Sequence, residues 1–206
     1  EELYLAPVPE TWRRIGHETP DLEEVRARRR WKGRGQVGPG VLELCAAADA
    51  VFLALHGACG EDGRVQAFFD LEGIPYTGSG HAGSAVAMDK DLTKRLCVQA
   101  GIRTPEWRTI TYQAQDIPRL CREIILPAVV KPMDSGSSIG VSIVHSPEAL
   151  SAALEEGLHV GGRVIVERYI KGRELQVGVL EERALPAIEI IPKHGFYDYE
   201  NKYQPG

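Results

Sequence analysis

Residues 126–141, LPAVVKPMDSGSSIGV, decide how this chain is read. Ala128, Val129 and Val130 form the short apolar run of a buried strand. The run ends on Lys131, because Pro132 removes a backbone donor and stops a hydrogen-bonded ladder. A small polar loop follows, Asp134-Ser135-Gly136-Ser137-Ser138. Ile139 to Val144 then reads as the return strand of a hairpin over 128–144. A lysine at a strand end, facing a Gly/Ser loop, suits a polyphosphate. The ammonium is a point charge, and loop N–H and hydroxyl groups can wrap oxygens where no bulky side chain blocks approach. An ordinary hairpin with a polar turn fits the same letters. The element is not a Walker loop, since no helix opens on Gly-Lys-Ser/Thr, and it lacks the spacing of a dinucleotide fingerprint. Other segments have to decide.

Upstream, Ala50 to Leu55 (AVFLAL) is a continuous apolar run typical of a parallel strand covered on both faces. His56-Gly57 closes it, and Glu61-Asp62-Gly63 leads into a helical pattern through Val65, Phe68, Phe69 and Leu71. Gly73 to Gly80 reads as a short strand and glycine turn, followed by one helix from about Ala82 to Ala100 that contains Asp89-Lys90 and is capped by Gly101. Strand, helix, strand, helix indicates an open α/β sheet, whose ligands sit at the carboxyl ends of strands, where His56 and Ser79 fall. The spacing predicts a domain boundary near residue 100. Beyond it come a helix over 117–125, the 128–144 hairpin, an amphipathic helix over 147–156 and a strand over 164–167. Two further strands, 173–180 and 184–191, are joined by the polar turn Glu181-Glu182-Arg183. This second unit is α+β, an antiparallel sheet with helices on one face.

The chain has 206 residues, 43% of them hydrophobic, enough for a real core. A net charge of −5 argues against a general nucleic-acid binder. The basic run RARRRWKGRGQVGPG at 26–40, with Trp31, reads as a solvated connection rather than a nucleic-acid patch. Cys45, Cys59, Cys97 and Cys121 form no C-x-x-C pair, which suggests reduced thiols rather than a disulfide framework or zinc site. No apolar run reaches the roughly 18 residues a membrane span needs, and no signal peptide is visible. The expectation is a soluble cytoplasmic protein, with no nucleic-acid or membrane partner. Its abrupt first and last residues suggest a piece of something longer.

Taken in order, several segments resemble the D-alanine–D-alanine ligases of the ATP-grasp superfamily. They are Leu55-His56-Gly57 with Glu61-Asp62-Gly63, then Tyr76-Thr77-Gly78-Ser79-Gly80 and Met88-Asp89-Lys90. They continue with Val130-Lys131-Pro132, Gly136-Ser137-Ser138-Ile139-Gly140, Val166-Glu167 and the run FYDYENKY at 196–203. The ordered set spans most of 50–206, while residues 1–45 carry little of it. The resemblance implies a partial open parallel-sheet N-terminal (pre-ATP-grasp) domain at 1–100. The antiparallel ATP-grasp central subdomain follows at 101–182, and the start of the C-terminal subdomain at 183–206. It also implies the chemistry: one D-alanine carboxylate attacks the γ-phosphate of ATP, and the amine of a second D-alanine displaces phosphate from the acyl phosphate, giving a dipeptide for peptidoglycan. The protein's share is positioning and charge neutralisation.

By matching position, the resemblance places Lys90 and Lys131 on the ATP phosphates, with Lys202 reaching them too. Glu167, Arg168, Tyr169 and Ile170 become the adenine linker, pairing mainly through backbone groups, with Tyr169 and Ile170 against the base. Glu174 becomes the acceptor for the ribose hydroxyls. Ser135, Gly136 and Ser138 belong to the loop over the nucleotide. Ser137 and Tyr203 would bond each other at the first-alanine site, with His56 near the substrate. The loops at 135–140 and 195–205 would close over the reacting groups and exclude water. The FYDYENKY run favours an amine acceptor over the hydroxy acid of the related D-alanine–D-lactate ligases.

Departures bear on activity. The family's glycine-rich opening with its Ser-x-Glu element is not in this sequence. The magnesium (or manganese) ligands, an Asp and a Glu-x-Asn, are expected beyond Gly206, so no metal ligand is assigned here. The expectation is an inactive fragment of a ligase that is a homodimer, as the family suggests. The alternatives are a D-alanine–D-lactate ligase, another ATP-grasp carboxylate–amine ligase, or a non-catalytic nucleotide-binding module.

Overall fold

The computed structural model describes residues 37, 38, 40–133, 138, 140–192, 195, 197 and 202. The chain forms two compact units, 1–48 and 49–206. Among the described residues the first contributes one short helix, α1 (Val41–Ala46), which follows Gly40 in the left-handed region at φ 81°. Trp31 lies outside the described residues.

The second unit opens on a minimal parallel pairing. Val51 N–H donates to Pro75 O at 2.8 Å and Thr77 N–H to Val51 O at 3.0 Å, a single bridge between the two expected strands. The expectation that AVFLAL is covered on both faces is corrected: Phe52 is 78% exposed and Leu55 51%. An apolar strand is buried only where neighbours cover its faces, and among the described residues this one has a single bridge. The Glu61-Asp62-Gly63 element shapes the turn that follows. Glu61 Oε2 accepts from Gly57 N–H at 2.6 Å and Asp62 Oδ2 from Cys59 N–H at 2.9 Å, before Gly63 opens α2 (Arg64–Glu72).

The helix expected as continuous from about Ala82 is two. α3 (His81–Met88) stops at Asp89, whose extended backbone (φ −86°, ψ 101°) cannot propagate a helix. The Asp89 carboxylate then accepts from Leu92 N–H at 2.9 Å and caps α4 (Lys90–Gln99). The break makes Lys90 the first residue of α4. Gly101, at φ 71°, terminates it by donating to Val98 O at 3.0 Å.

The central element is an antiparallel sheet of order β1-β4-β2-β3. Its strands are β1 (Trp107–Thr111), β2 (Ala128–Pro132), β3 (Ser142–Val144) and β4 (Arg163–Arg168). The expected hairpin pairs Val129 with Ile143, while Val129 and Lys131 pair with Glu167 and Ile165 of β4. Side chains alternate across a strand. Ala128, Val130, Val164 and Val166 therefore share one face, which α5 (Ile117–Glu123) and α6 (Pro147–His159) cover through Leu120 and Leu154. Val129, Lys131, Ile165 and Glu167 share the other. Over β4 and β1 that second face is closed by α4, which leaves Ile165 fully buried. Over β2 and β3 it stays open as the wall of a cleft.

The two expected C-terminal strands form a broken antiparallel ladder. β5 (Glu174–Gln176) pairs with β8 (Ile188–Ile190), and β6 (Val179–Leu180) with β7 (Arg183–Ala184). Leu185 N–H donates to Gly178 O at 2.8 Å between the two pairs. Glu181, at φ 55°, makes the turn. The boundary expected near residue 100 falls between α4 and β1, inside the second compact unit. Among the described residues no helix is long and apolar enough to cross a membrane.

Candidate functional site

A cleft of about 780 Å³ lies on the open half of the sheet. Its walls include Lys90 from α4, Lys131 at the end of β2, Ser138 from the loop after it, Tyr169 and Ile170 after β4, and Glu174 on β5. Six of the residues picked out in the sequence thus meet at one surface. Lys90 Nζ donates to Met133 O at 3.2 Å, which ties the start of α4 to the end of β2.

Lys131 is the better-defined cation. Its side chain is 30% exposed, and its Nζ donates to Glu167 Oε2 at 2.6 Å. The register explains the contact: Glu167 pairs with Val129, two residues from Lys131 on the same face, a diagonal that long side chains span. Glu167 is itself only 8% exposed, and its second oxygen lies 3.2 Å from Lys94 Nζ. The Glu167 side chain therefore acts within the wall, while its backbone continues into the linker. There, Arg168 N–H is taken by Glu106 O at 2.9 Å and Tyr169 N–H by Pro127 O at 3.2 Å. Both of these N–H groups are thus already satisfied within the protein. Arg168 faces a second groove, lined also by Ile125 and Trp107.

The loop after β2 meets the segment near Lys202. Ser138 Oγ accepts from Lys202 Nζ at 2.8 Å and donates to Tyr197 O at 3.2 Å, and Lys202 lies over the Tyr197 ring at 5.1 Å. Gly140, at φ 70°, brings the loop back so close that a Cβ there would sit 2.8 Å from Pro132 Cγ. Ser135, Gly136, Ser137 and Tyr203 lie outside the described residues. His56 is exposed and lines none of this cleft.

Three residues that the sequence reading passed over belong to the site. Arg173 and Glu189 line the cleft and form a two-pronged pair, Nε to Oε1 and NH2 to Oε2, both at 2.7 Å, across the β5–β8 ladder. Lys94 backs the wall behind Glu167.

Beside Lys94, Asp91 fastens α4 to β1. Its carboxylate accepts from Arg95 Nε at 2.6 Å, Trp107 Nε1 at 2.8 Å and Thr109 Oγ1 at 2.9 Å. The Arg95 bond above all, then those from Trp107 and Thr109, hold its pKa down from 3.8 to about 2. A carboxyl depressed in the folded state stabilises fully above its unfolded pKa and loses that contribution as pH falls toward the folded one. Between about pH 5 and pH 2 the protein should lose about 1–2 kcal/mol through this group, after allowance for its partial exposure. Asp91→Asn should flatten that part of the stability–pH curve, measured by urea unfolding at stepped pH. An unchanged curve would show that Asp91 carries none of it.

An antiparallel sheet with helices on one face, carrying Lys131 at a strand end beside one cleft, is the architecture of an ATP-grasp fold, as in the similar solved structures given below. The D-ala D-ala ligase C-terminus model matches residues 96–206 and the D-ala D-ala ligase N-terminus model residues 8–79. The chain belongs to the D-alanine–D-alanine ligase family. It is 46% identical over 158 residues to a D-alanine–D-alanine ligase of Geobacter sulfurreducens, a match covering 77% of this chain and 50% of the relative. With the Pediococcus pentosaceus ligase it shares 43% identity over 187 residues, covering 90% and 52%. Among solved structures, the Bacillus anthracis ligase is similar at TM-score 0.64 and 36% identity, over 78% of this chain and 53% of that one. The same enzyme complexed with ATP matches at TM-score 0.62 and 34% identity, covering 76% and 52%. The chain spans about half the length of the relatives it matches.

Proposed function

We propose that this chain supplies the nucleotide-binding part of an enzyme that ligates two D-alanines, using ATP and forming ADP, through an acyl phosphate, for peptidoglycan. The observation that carries the reading is the single cleft gathering Lys90, Lys131, Ser138, Tyr169, Ile170 and Glu174. In this reading Lys90, Lys131 and Lys202 neutralise the phosphates, where charge develops as the γ-phosphoryl group transfers. Tyr169 and Ile170 face the base, the 167–170 backbone pairs with its edge, and the Glu174 carboxylate accepts from the ribose hydroxyls. Ser138, bonded to Lys202 and to Tyr197 O, holds two covering segments together, so that water is kept from the acyl phosphate. Ser137, Tyr203 and His56 belong to the alanine side. The domain division at about 100 and 182, a cytoplasmic location and a homodimer are part of the same proposal.

Magnesium accompanies ATP in this reading and would supply charge to the phosphates. Among the described residues no group of three or more His, Cys, Asp or Glu is placed to hold a metal ion, and the roles above do not depend on one. The test is D-alanine-dependent phosphate release from ATP and magnesium, by this chain and by one extended to the length of its relatives. Dipeptide from the extended chain alone is the expected result. ATP binding without dipeptide from the extended chain would sink the ligase reading in favour of a nucleotide-binding module.

A further inference from the structure

Lys94 is 7% exposed, a rare burial for a lysine, and it does not line the cleft. Lysines are buried only when paired, and its partners are specific. Nζ donates to Thr104 Oγ1 at 2.6 Å, stands 3.2 Å from Glu167 Oε1 and lies 5.0 Å from the centre of the Trp107 ring. Glu167 in turn receives Lys131 on its other oxygen. Two lysines and one glutamate sum to a formal charge of +1, with Lys94 sealed between α4 and the sheet and Lys131 at the cleft.

The charge count matters for an anion entering the cleft. If Glu167 had Lys131 as its only cation, the pair would be neutral and one buried carboxylate oxygen would lack a charged partner. With Lys94 on Oε1, Glu167 orients Lys131 through one hydrogen bond. Two of the three ammonium donors can then be directed elsewhere, and the wall keeps a net positive charge.

We infer that Lys94 is a positioning residue for polyphosphate binding: it occupies one oxygen of Glu167, so that Glu167 aims Lys131 into the cleft without neutralising it. The inference rests on the proposed reading that Lys131 meets the ATP phosphates. A lysine that merely pinned α4 to the sheet would affect stability alone, whereas one that sets the charge of the wall affects ligands in proportion to their charge.

The experiment measures affinities of the full-length protein for adenosine, ADP and ATP with magnesium by calorimetry, with a melting temperature for each variant. Lys94→Met should weaken ATP roughly tenfold, ADP less and adenosine by less than about twofold, the loss growing with ligand charge. Lys94→Gln keeps donors for Thr104 and Glu167 but drops the charge. It should show the same graded loss nearer the wild-type melting temperature, and it carries the comparison if Lys94→Met does not fold. Lys94→Met combined with Lys131→Met should bind ATP no more weakly than Lys131→Met alone, because the first acts through the second. Equal losses for adenosine and ATP, unchanged affinities with a lowered melting temperature, or additive effects would overturn the inference. A wild-type protein that does not bind ATP, or a Lys131→Met variant that binds it normally, would instead overturn the reading of the site.

Discussion

Replacing Lys131 by methionine should weaken ATP binding about a hundredfold while leaving adenosine within about threefold of wild type, the difference of one or two charge-assisted hydrogen bonds. Lys131 is the cation that the sheet delivers to the cleft wall: β2 ends on it, Glu167 orients it, and part of its side chain is open. Methionine keeps the stem length opposite Ile165 in the ladder, so the melting temperature should change little. Glu167 retains Lys94, which prevents the larger penalty of a buried carboxylate left alone. Lys131→Arg should recover only part of the affinity, because a planar fork is a poor substitute for a point charge bonded end-on to one oxygen. Calorimetry with ATP and adenosine decides. Equal affinity for ATP would reduce Lys131 to a counter-ion of Glu167 and move the polyphosphate elsewhere.

The sequence disclosed β2 and Lys131 because two physical signals coincide there, an apolar run and a proline that ends it. The same holds for α6, where Ser146 and Pro147 open the helix and Ser146 Oγ caps Ala149 N–H at 3.2 Å. Glu174, Tyr169 and Ile170 were legible only through their order relative to Lys131, since nothing in their own letters marks a cleft. Lys94 was missed because KDLTKRL looks like a solvated helix face. Its burial depends on α4 lying over β4, a tertiary fact. Asp89 was missed for the opposite reason. Its capping signal was local and present, yet Met88-Asp89-Lys90 sits between two helical patterns whose periods nearly join. Phe52 and Leu55 show the limit of apolar content as a guide, because burial belongs to the neighbour as much as to the residue.

Gly157 is a helix position where adding a single methyl should destabilise the fold. In an exposed helix interior, Gly→Ala gains about 1 kcal/mol of helix propensity. In α6 the sign should reverse. A Cβ at Gly157 would overlap the Tyr112 hydroxyl and lie 2.9 Å from Val164 Cγ1. Neither can retreat easily. Val164 is fully buried in β4, and Tyr112 is 5% exposed with its hydroxyl donating to Leu154 O at 2.7 Å. Overpacking of this kind costs about 1–3 kcal/mol, so Gly157→Ala should lower stability by about that much in urea unfolding. Tyr112→Phe alone should cost about 1 kcal/mol, the net worth of the lost hydrogen bond. The double variant should be less unstable than the sum, because the ring carbon left behind stands 3.6 Å from the new methyl, an ordinary contact. Additive losses would mean that Val164, not the hydroxyl, resists the methyl. A stabilised Gly157→Ala would mean that α6 can shift outward from β4, and the packing that holds the helix layer on the sheet would be looser than this geometry requires.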